Sequence, residues 1–146
     1  MKLKLNFLFF FLLSISILAQ DKTVTGIVTG ADFGADNKFY MSDPEGGAWH
    51  GVYVYDYLVG PPLGDEVEVT ATVQEYYGLT EIIDIQEVHY LAHNKPLPVF
   101  HDVNAYTISN ANALEAEHYE CMLVKVFNGI CVSETDNYGQ WTVDDG

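Results

Sequence analysis

The five histidines of the chain are the side chains best suited to binding a metal ion or transferring protons. His89 and His93 lie four positions apart, a spacing that places two side chains on one face of a helix. Residues 88–91 are typical of a strand, however, and prolines follow at positions 96 and 98. His50, His101 and His118 show no spacing typical of metal ligands. The pattern therefore predicts scattered surface histidines.

Acidic residues in turn-like segments are a second candidate for chemistry. Asp32 and Asp36 share one segment, Asp43 lies in another, and Asp144 and Asp145 lie in a third. Carboxylate oxygens on loops suit Ca²⁺, so Asp32, Asp36 and Asp43 are candidate calcium ligands. None of these segments has the ligand spacing of an EF-hand loop, and turns favour Asp for backbone reasons alone. Apart from possible Ca²⁺ binding, we expect no cofactor.

No sequence motif identifies a catalytic site. The chain lacks a glycine-rich phosphate-binding loop, a His-Glu pair at metallohydrolase spacing and a serine in a nucleophile motif. Cys121 and Cys131 do not suit a disulfide, because they would lie about 30 Å apart along one strand. They would also not face each other across a two-residue turn at Asn128 and Gly129. We therefore expect that this chain is not an enzyme.

The charge of the chain argues against a nucleic-acid ligand. Six lysines, no arginine and 21 acidic residues give a formal net charge of −15. Nucleic acids are held largely by Lys and Arg side chains that neutralise phosphates. A strongly negative surface repels such ligands and keeps an exported protein in solution. We therefore do not expect this chain by itself to hold nucleic acid.

Residues 1–19 are typical of a secretory signal peptide, with Lys2 and Lys4 before an apolar run and Ala19 after it. The run, residues 5–18, is shorter than the roughly 20 apolar residues that a membrane-spanning helix needs. We expect cleavage after Ala19 or Gln20, no membrane contact afterwards, and a secreted or cell-surface location. Four lysines then remain against 21 acidic residues, a formal charge of −17.

The remaining sequence consists of short β-type segments separated by Gly, Pro, Asn and Asp, as in a small barrel or sandwich. The clearest pattern is at residues 66–74, where polar residues alternate with Val67, Val69, Ala71 and Val73. These four side chains are predicted to point into a core. Other strands are predicted at residues 23–29, 38–42, 51–55 and 79–88, with a bend at Gly26.

Residues 23–91 resemble the oligonucleotide/oligosaccharide-binding (OB) fold domains that accompany extracellular nucleases and other secreted multidomain proteins of Bacteroidota-like bacteria. The resemblance is carried by VTGIVTG, KFYMSDPEGG, GVYVYD and LGDEVEVTATVQEYYGLTEI. Its most specific parts are Gly64-Asp65 and EYYGLT at residues 75–80. It implies an all-β, five-stranded Greek-key barrel, which we expect at residues 22–92 as a closed or nearly closed antiparallel barrel.

In an OB barrel the ligand usually crosses the second and third strands. Tyr40, Tyr53 and Tyr55 alternate there with aliphatic or aromatic core candidates, so the three tyrosines are predicted to face outward. We take them as candidate ligand-binding residues, because tyrosine rings stack on bases and on sugar rings. Cross-strand pairing that only stabilises the hairpin is the alternative.

Residues 119–146 repeat the order of the first domain: an apolar strand, a polar loop, an aromatic strand and an acidic turn. They are predicted to start a second OB-like repeat whose remainder lies downstream; alternatively, they extend the first domain. Residues 93–118 are predicted to be a linker with a short helical turn.

The sequence thus predicts a non-catalytic accessory or binding module of a larger secreted or cell-surface protein, with the downstream domains of that protein as partners. Two alternatives are open. One is a domain that positions nucleic acid for an extracellular endonuclease or exonuclease, and the other is a surface module that binds carbohydrate or protein.

Overall fold

Nine strands and one short helix form the described part of the chain. The computed structural model describes residues 21–31, 38–55, 60–137 and 140–146, so the predicted signal peptide lies outside it. The strands are β1 (Asp21–Ala31), β2 (Phe39–Ser42), β3 (Gly51–Val54), β4 (Glu66–Tyr76), β5 (Leu79–Ala92), β6 (His101–Val103), β7 (Val124–Val126), β8 (Ile130–Cys131) and β9 (Val143–Asp144). Helix α1 (Ala113–Ala116) lies between 3₁₀ turns at Asn110–Asn112 and Glu117–Tyr119.

The alternation in β4 has the predicted direction. Val67, Val69 and Ala71 are at most 1% exposed, and Val73 packs against the same core. The Glu and Thr side chains between them are only partly buried. The inward prediction for the four apolar side chains is therefore confirmed.

Strands β1 to β5 close into a barrel in the order β1, β2, β3, β5, β4 and back to β1. Strand β1 serves two neighbours, because it pairs with β4 up to Ile27 and with β2 from Ile27 onward. Gly26 lies at this change of partner, where an added Cβ would come within 3.0 Å of the Ser42 carbonyl oxygen. This closed, all-β, five-stranded barrel agrees with the predicted OB-like fold.

One feature of the barrel differs from the prediction. Strands β3 and β5 run parallel, with Tyr53 beside Glu81 and Val54 beside Ile82. The expectation of a wholly antiparallel barrel is therefore wrong. β1 is antiparallel to both β2 and β4. β3 is antiparallel to β2, and β5 is antiparallel to β4, so β3 and β5 both run in the direction of β1 and meet as parallel neighbours.

The barrel core takes side chains from all five strands. The fully buried members include Val28 from β1, Phe39 from β2, Val54 from β3, Val69 from β4 and Ile82 from β5. Because each strand buries one face in the same core, the opposite face of each strand must point away from it. This arrangement decides which side chains are available for binding.

The Gly64-Asp65 pair, which is specific to the OB resemblance, ties three parts of the barrel together. The Gly64 N–H donates to the Val28 carbonyl at 2.9 Å, and the Val28 N–H donates to the Asp65 carbonyl at 2.8 Å. The buried Asp65 carboxylate contacts His93 Nδ1 at 2.9 Å. Gly64 has a φ of 82°, and a Cβ there would come within 3.0 Å of the Lys95 carbonyl oxygen. The pair therefore has a structural role.

The segment after β5 is assembled differently from the barrel. Strand β6, within the predicted linker, pairs in parallel with β7, and β8 pairs with β9. Among the described residues from 93 onward, Pro98 is the only buried one. Large apolar side chains such as Ile130 and Trp141 are 68% and 59% exposed.

Replacing Val69 with Asp should unfold the barrel. The new carboxylate would be buried without a partner, at a cost of about 3 to 5 kcal/mol against a typical total stability of about 5 to 15 kcal/mol. Glu68→Gln, on the outer side of the same strand, is the matched control and should stay within about 0.5 kcal/mol of the parent protein. Urea unfolding followed by circular dichroism measures both, and a folded Val69→Asp protein would contradict the assigned register.

Amide hydrogens of β7, β8 and β9 should exchange faster than those of β4 and β5. Two-stranded sheets with exposed apolar side chains open at a smaller free-energy cost than a closed barrel does. Hydrogen exchange followed by mass spectrometry of peptides measures this difference. Equal protection in the two regions would show that residues 119–146 unfold together with the barrel.

Candidate ligand-binding site

Alternation along β2 and β3 puts their tyrosines on the outer face of the barrel. Phe39, Met41 and Val54 are buried in the core, so the side chains between them point outward. Tyr40 and Tyr53 are direct cross-strand partners. The structure therefore brings together residues that the sequence singled out as candidate ligand contacts.

The three tyrosine rings form a continuous cluster. The ring centroids of Tyr40 and Tyr53 are 5.0 Å apart, and those of Tyr53 and Tyr55 are 6.2 Å apart, edge to face. Both separations are typical of attractive aromatic pairs. Tyr40 is 40% exposed, and the Lys38 Nζ lies 4.7 Å from the centroid of the Tyr55 ring. We call Tyr40, Tyr53 and Tyr55 the tyrosine face.

A carboxylate lies next to the tyrosine face. Glu81 on β5 is aligned with Tyr53 on β3, and Gln74 Nε2 donates a hydrogen bond of 2.5 Å to its Oε1. Glu81 is only 6% exposed, so little water screens its charge. A negative charge at this position disfavours an anionic ligand on this face more than an uncharged one.

The candidate calcium ligands do not form a described site. Asp43 contacts His50 Nδ1 through its Oδ2 at 2.6 Å. Asp32 and Asp36 lie outside the described residues. Within the described residues, no group of three or more His, Cys, Asp or Glu side chains is arranged to hold a metal ion. Calcium binding through Asp32 and Asp36 stays a prediction.

Three histidines that the sequence left scattered lie near one another around the turn between β2 and β3. The His118 ring packs on the Trp49 ring with centroids 4.6 Å apart. The backbone N–H of Trp49 also donates to the backbone carbonyl of His118 at 2.8 Å. A Cβ added at Gly47 would lie 3.6 Å from His101 Nε2 and 3.7 Å from a carbon of the His50 ring. Sequence reasoning missed this cluster, because no periodic pattern links the turn to residues so distant along the chain.

The segment around Glu120 and Cys121 lies directly against the barrel. The Thr80 N–H at the start of β5 donates to the Glu120 carboxylate at 2.9 Å. A Cβ added at Gly51 on β3 would come within 2.7 Å of the Cys121 backbone. Such a distance is too short for any side chain, so glycine at position 51 permits this contact.

Burial at this contact changes the acidity of two side chains. It raises the pKa of the Cys121 thiol from 9.0 to about 12, and the charge of Glu120 adds to the effect. Burial also raises the pKa of Glu120, although the hydrogen bond from the Thr80 N–H acts against this. Cys121 and Cys131 are both free thiols, as expected from their spacing.

A cavity of about 860 Å³ lies in the segment after the barrel. It is bordered by Ile108, Val126, Cys131, Trp141 and Val143, among others. None of these residues belongs to the tyrosine face, so this cavity is separate from the predicted binding residues.

Comparisons of this chain with protein-family models, with curated proteins and with solved structures gave no match. In the described part of the chain, no helix has both the length and the apolar character needed to cross a membrane. The assignment of a function therefore depends on the geometry of the chain itself.

We expect iodoacetamide at pH 8 to alkylate Cys131 at least tenfold faster than Cys121. The thiolate is the reactive form, and the raised pKa keeps Cys121 protonated at this pH, whereas Cys131 is exposed. The Cys121 rate should increase as the pH approaches that pKa. Mass spectrometry of the alkylated peptides measures both rates.

Gly51→Ala should displace the Cys121 segment from β3 and accelerate alkylation of Cys121. Gly30→Ala is the matched control, because the nearest atoms to a Cβ there belong to the Tyr40 side chain, at 3.3 Å or more, and none of them to the Cys121 segment. An unchanged Cys121 rate in Gly51→Ala would show that this contact does not protect the thiol.

Proposed function

We propose that this chain is a non-catalytic binding module of a larger, exported protein, and that its tyrosine face binds an uncharged saccharide. The observation that carries the proposal is the continuous cluster of Tyr40, Tyr53 and Tyr55 on the outer side of β2 and β3. Aromatic rings stack on the apolar faces of sugar rings while the phenol groups remain close to water. Binding by stacking needs no acid or base, in keeping with a role that does not include catalysis.

Charge selects a saccharide over a nucleic acid. The chain carries a formal charge of −15, and Glu81 lies beside Tyr53 on the tyrosine face. Each phosphate brought to this face would be repelled, whereas a neutral sugar would not. Because a neutral sugar carries no charge that salt could screen, we expect its binding to be almost independent of salt.

Export is proposed from the sequence. Residues 1–19 have the order of a signal peptide, and the OB resemblance is to domains that accompany extracellular nucleases and other secreted multidomain proteins. In such a protein this module would hold the parent enzyme close to a saccharide-bearing surface. Residues 119–146 would then lead towards the next domain.

Positioning of nucleic acid is the second candidate, and the observation that favours it is Lys38. Its Nζ lies over the Tyr55 ring at 4.7 Å, so a cation is present where a base would stack. One lysine offers little against the surrounding negative charge, and nucleic-acid binding typically needs several phosphate contacts. We therefore rank this function below saccharide binding.

Electrophoresis in native gels that contain a soluble neutral polysaccharide tests the proposal. Separate gels with glucomannan and with hydroxyethylcellulose should reveal retardation of the parent chain by at least one of them, unchanged by added salt. Tyr40→Ala and Tyr55→Ala should each weaken binding about two- to tenfold, because an aromatic contact contributes about 0.5 to 1.5 kcal/mol. Tyr106→Ala, which removes an exposed tyrosine outside the tyrosine face, should have no effect.

Retardation that is equal in the parent and in both tyrosine-face variants would contradict the role of these residues. Fluorescence anisotropy with a labelled single-stranded oligonucleotide at low salt tests the second candidate. Micromolar binding that Lys38→Ala weakens and that salt abolishes would replace saccharide binding with nucleic-acid binding.

A further inference from the structure

A second concave site lies at the end of the barrel that carries the turn between β2 and β3. Its volume is about 220 Å³, and its apolar lining comes from Val24 on β1, Met41 on β2 and Val52 on β3. Trp49 and His50 from the turn also line it. None of the lining residues belongs to the tyrosine face, so this site is independent of the proposed function.

Trp49 is held in an unusual conformation at this site. Its φ is 70°, in the left-handed region that bulky residues rarely adopt. The side chain is nevertheless 65% exposed. Two contacts with His118 hold Trp49 in place. Its backbone N–H donates to the His118 carbonyl, and its ring packs on the His118 ring. Residues held in such sparsely populated backbone conformations cluster at ligand-binding and active sites.

Polar groups of defined hydrogen-bonding character lie beside the indole ring. Asp43 Oδ2 contacts His50 Nδ1 at 2.6 Å. A carboxylate can only accept a hydrogen bond, so Nδ1 of His50 carries the proton of this contact, and the other lone pairs of the carboxylate can accept from a ligand. Thr25, which is exposed, and Thr80 also line the site and carry hydroxyl groups. The site therefore offers an aromatic surface together with several hydrogen-bond acceptors.

These properties define the chemistry of a ligand. Acceptors next to an aromatic ring suit a molecule with hydroxyl donors on its edge and C–H groups on its face. An anion is disfavoured by Asp43 and by the formal charge of −15. We propose that the site around Trp49 binds one neutral sugar ring, stacked on the indole and hydrogen-bonded to the Asp43-His50 pair.

Tryptophan fluorescence provides a specific test, because the chain contains only two tryptophans. In Trp141→Phe, which changes no residue of the barrel, Trp49 is the only tryptophan, and excitation beyond the absorption of the tyrosines isolates its emission. Titration with the methyl glycosides of glucose, galactose, mannose and N-acetylglucosamine should give, for at least one of them, a saturable blue shift, since stacking removes water from the indole. Failure of all four sugars to shift the emission would overturn the proposal.

Two further variants in the Trp141→Phe background separate binding from folding. Asp43→Asn removes the charge and should weaken binding of the responding sugar at least tenfold, because hydrogen bonds to a neutral amide oxygen are roughly half as strong as those to a carboxylate. Thr25→Val removes a hydroxyl without touching the contact between Trp49 and His118, and it should weaken binding about threefold to tenfold. Unchanged affinity in both variants, with native circular dichroism, would overturn the assignment of this site.

Two controls separate sugar binding at Trp49 from binding at the tyrosine face and from cation binding. Tyr40→Ala should leave the Trp49 response intact, so loss of binding at the tyrosine face and loss at the Trp49 site are separately measurable. Choline is the cationic probe, because a cation could also lie against an indole ring near a carboxylate. A response to choline that is stronger than the response to every sugar would replace the neutral sugar with a cation and overturn the proposal.

Discussion

Burial of one face of each barrel strand in a single small core is the constraint on which the rest of the structure depends. Val28, Phe39, Val54, Val69 and Ile82 come from five different strands and are essentially inaccessible to solvent. Since side chains alternate along a strand, fixing these residues inside fixes their neighbours outside. The tyrosine face is a direct result, because a shift of one residue along β2 or β3 would exchange tyrosines and core side chains.

The acidic composition shapes the contacts on the surface. Because the chain has few lysines and no arginine, histidines supply many of the groups that contact carboxylates. His50, His89, His93 and His118 each lie within 3.6 Å of a carboxylate oxygen. Lysine also contacts aromatic rings, as where the Lys125 ammonium group lies over Phe100 and Phe127.

The strands of the barrel and the outward direction of the three tyrosines could be predicted from local sequence patterns, whereas the five-stranded barrel was an expectation from the OB resemblance. Alternation at residues 66–74 and at Tyr40, Tyr53 and Tyr55 depends only on the period of a strand, which can be read from a few neighbouring residues. The parallel pairing of β3 with β5 and the contact of Trp49 with His118 could not be predicted in this way. Both join residues far apart along the chain, and neither leaves a periodic signal. Strand β6 was not predicted, because its partner β7 also lies far away along the chain.

Closure of the barrel has a consequence for assembly. Each of the strands β1 to β5 has hydrogen-bonded neighbours on both sides, so none of them offers a free edge along its paired length. The described sheets β6-β7 and β8-β9 contain two strands each, and every strand in them has one side without a paired strand. Polymerisation through backbone pairing would therefore start in the region after residue 100. A lysine in β7 is the kind of charged residue that limits such growth at an edge.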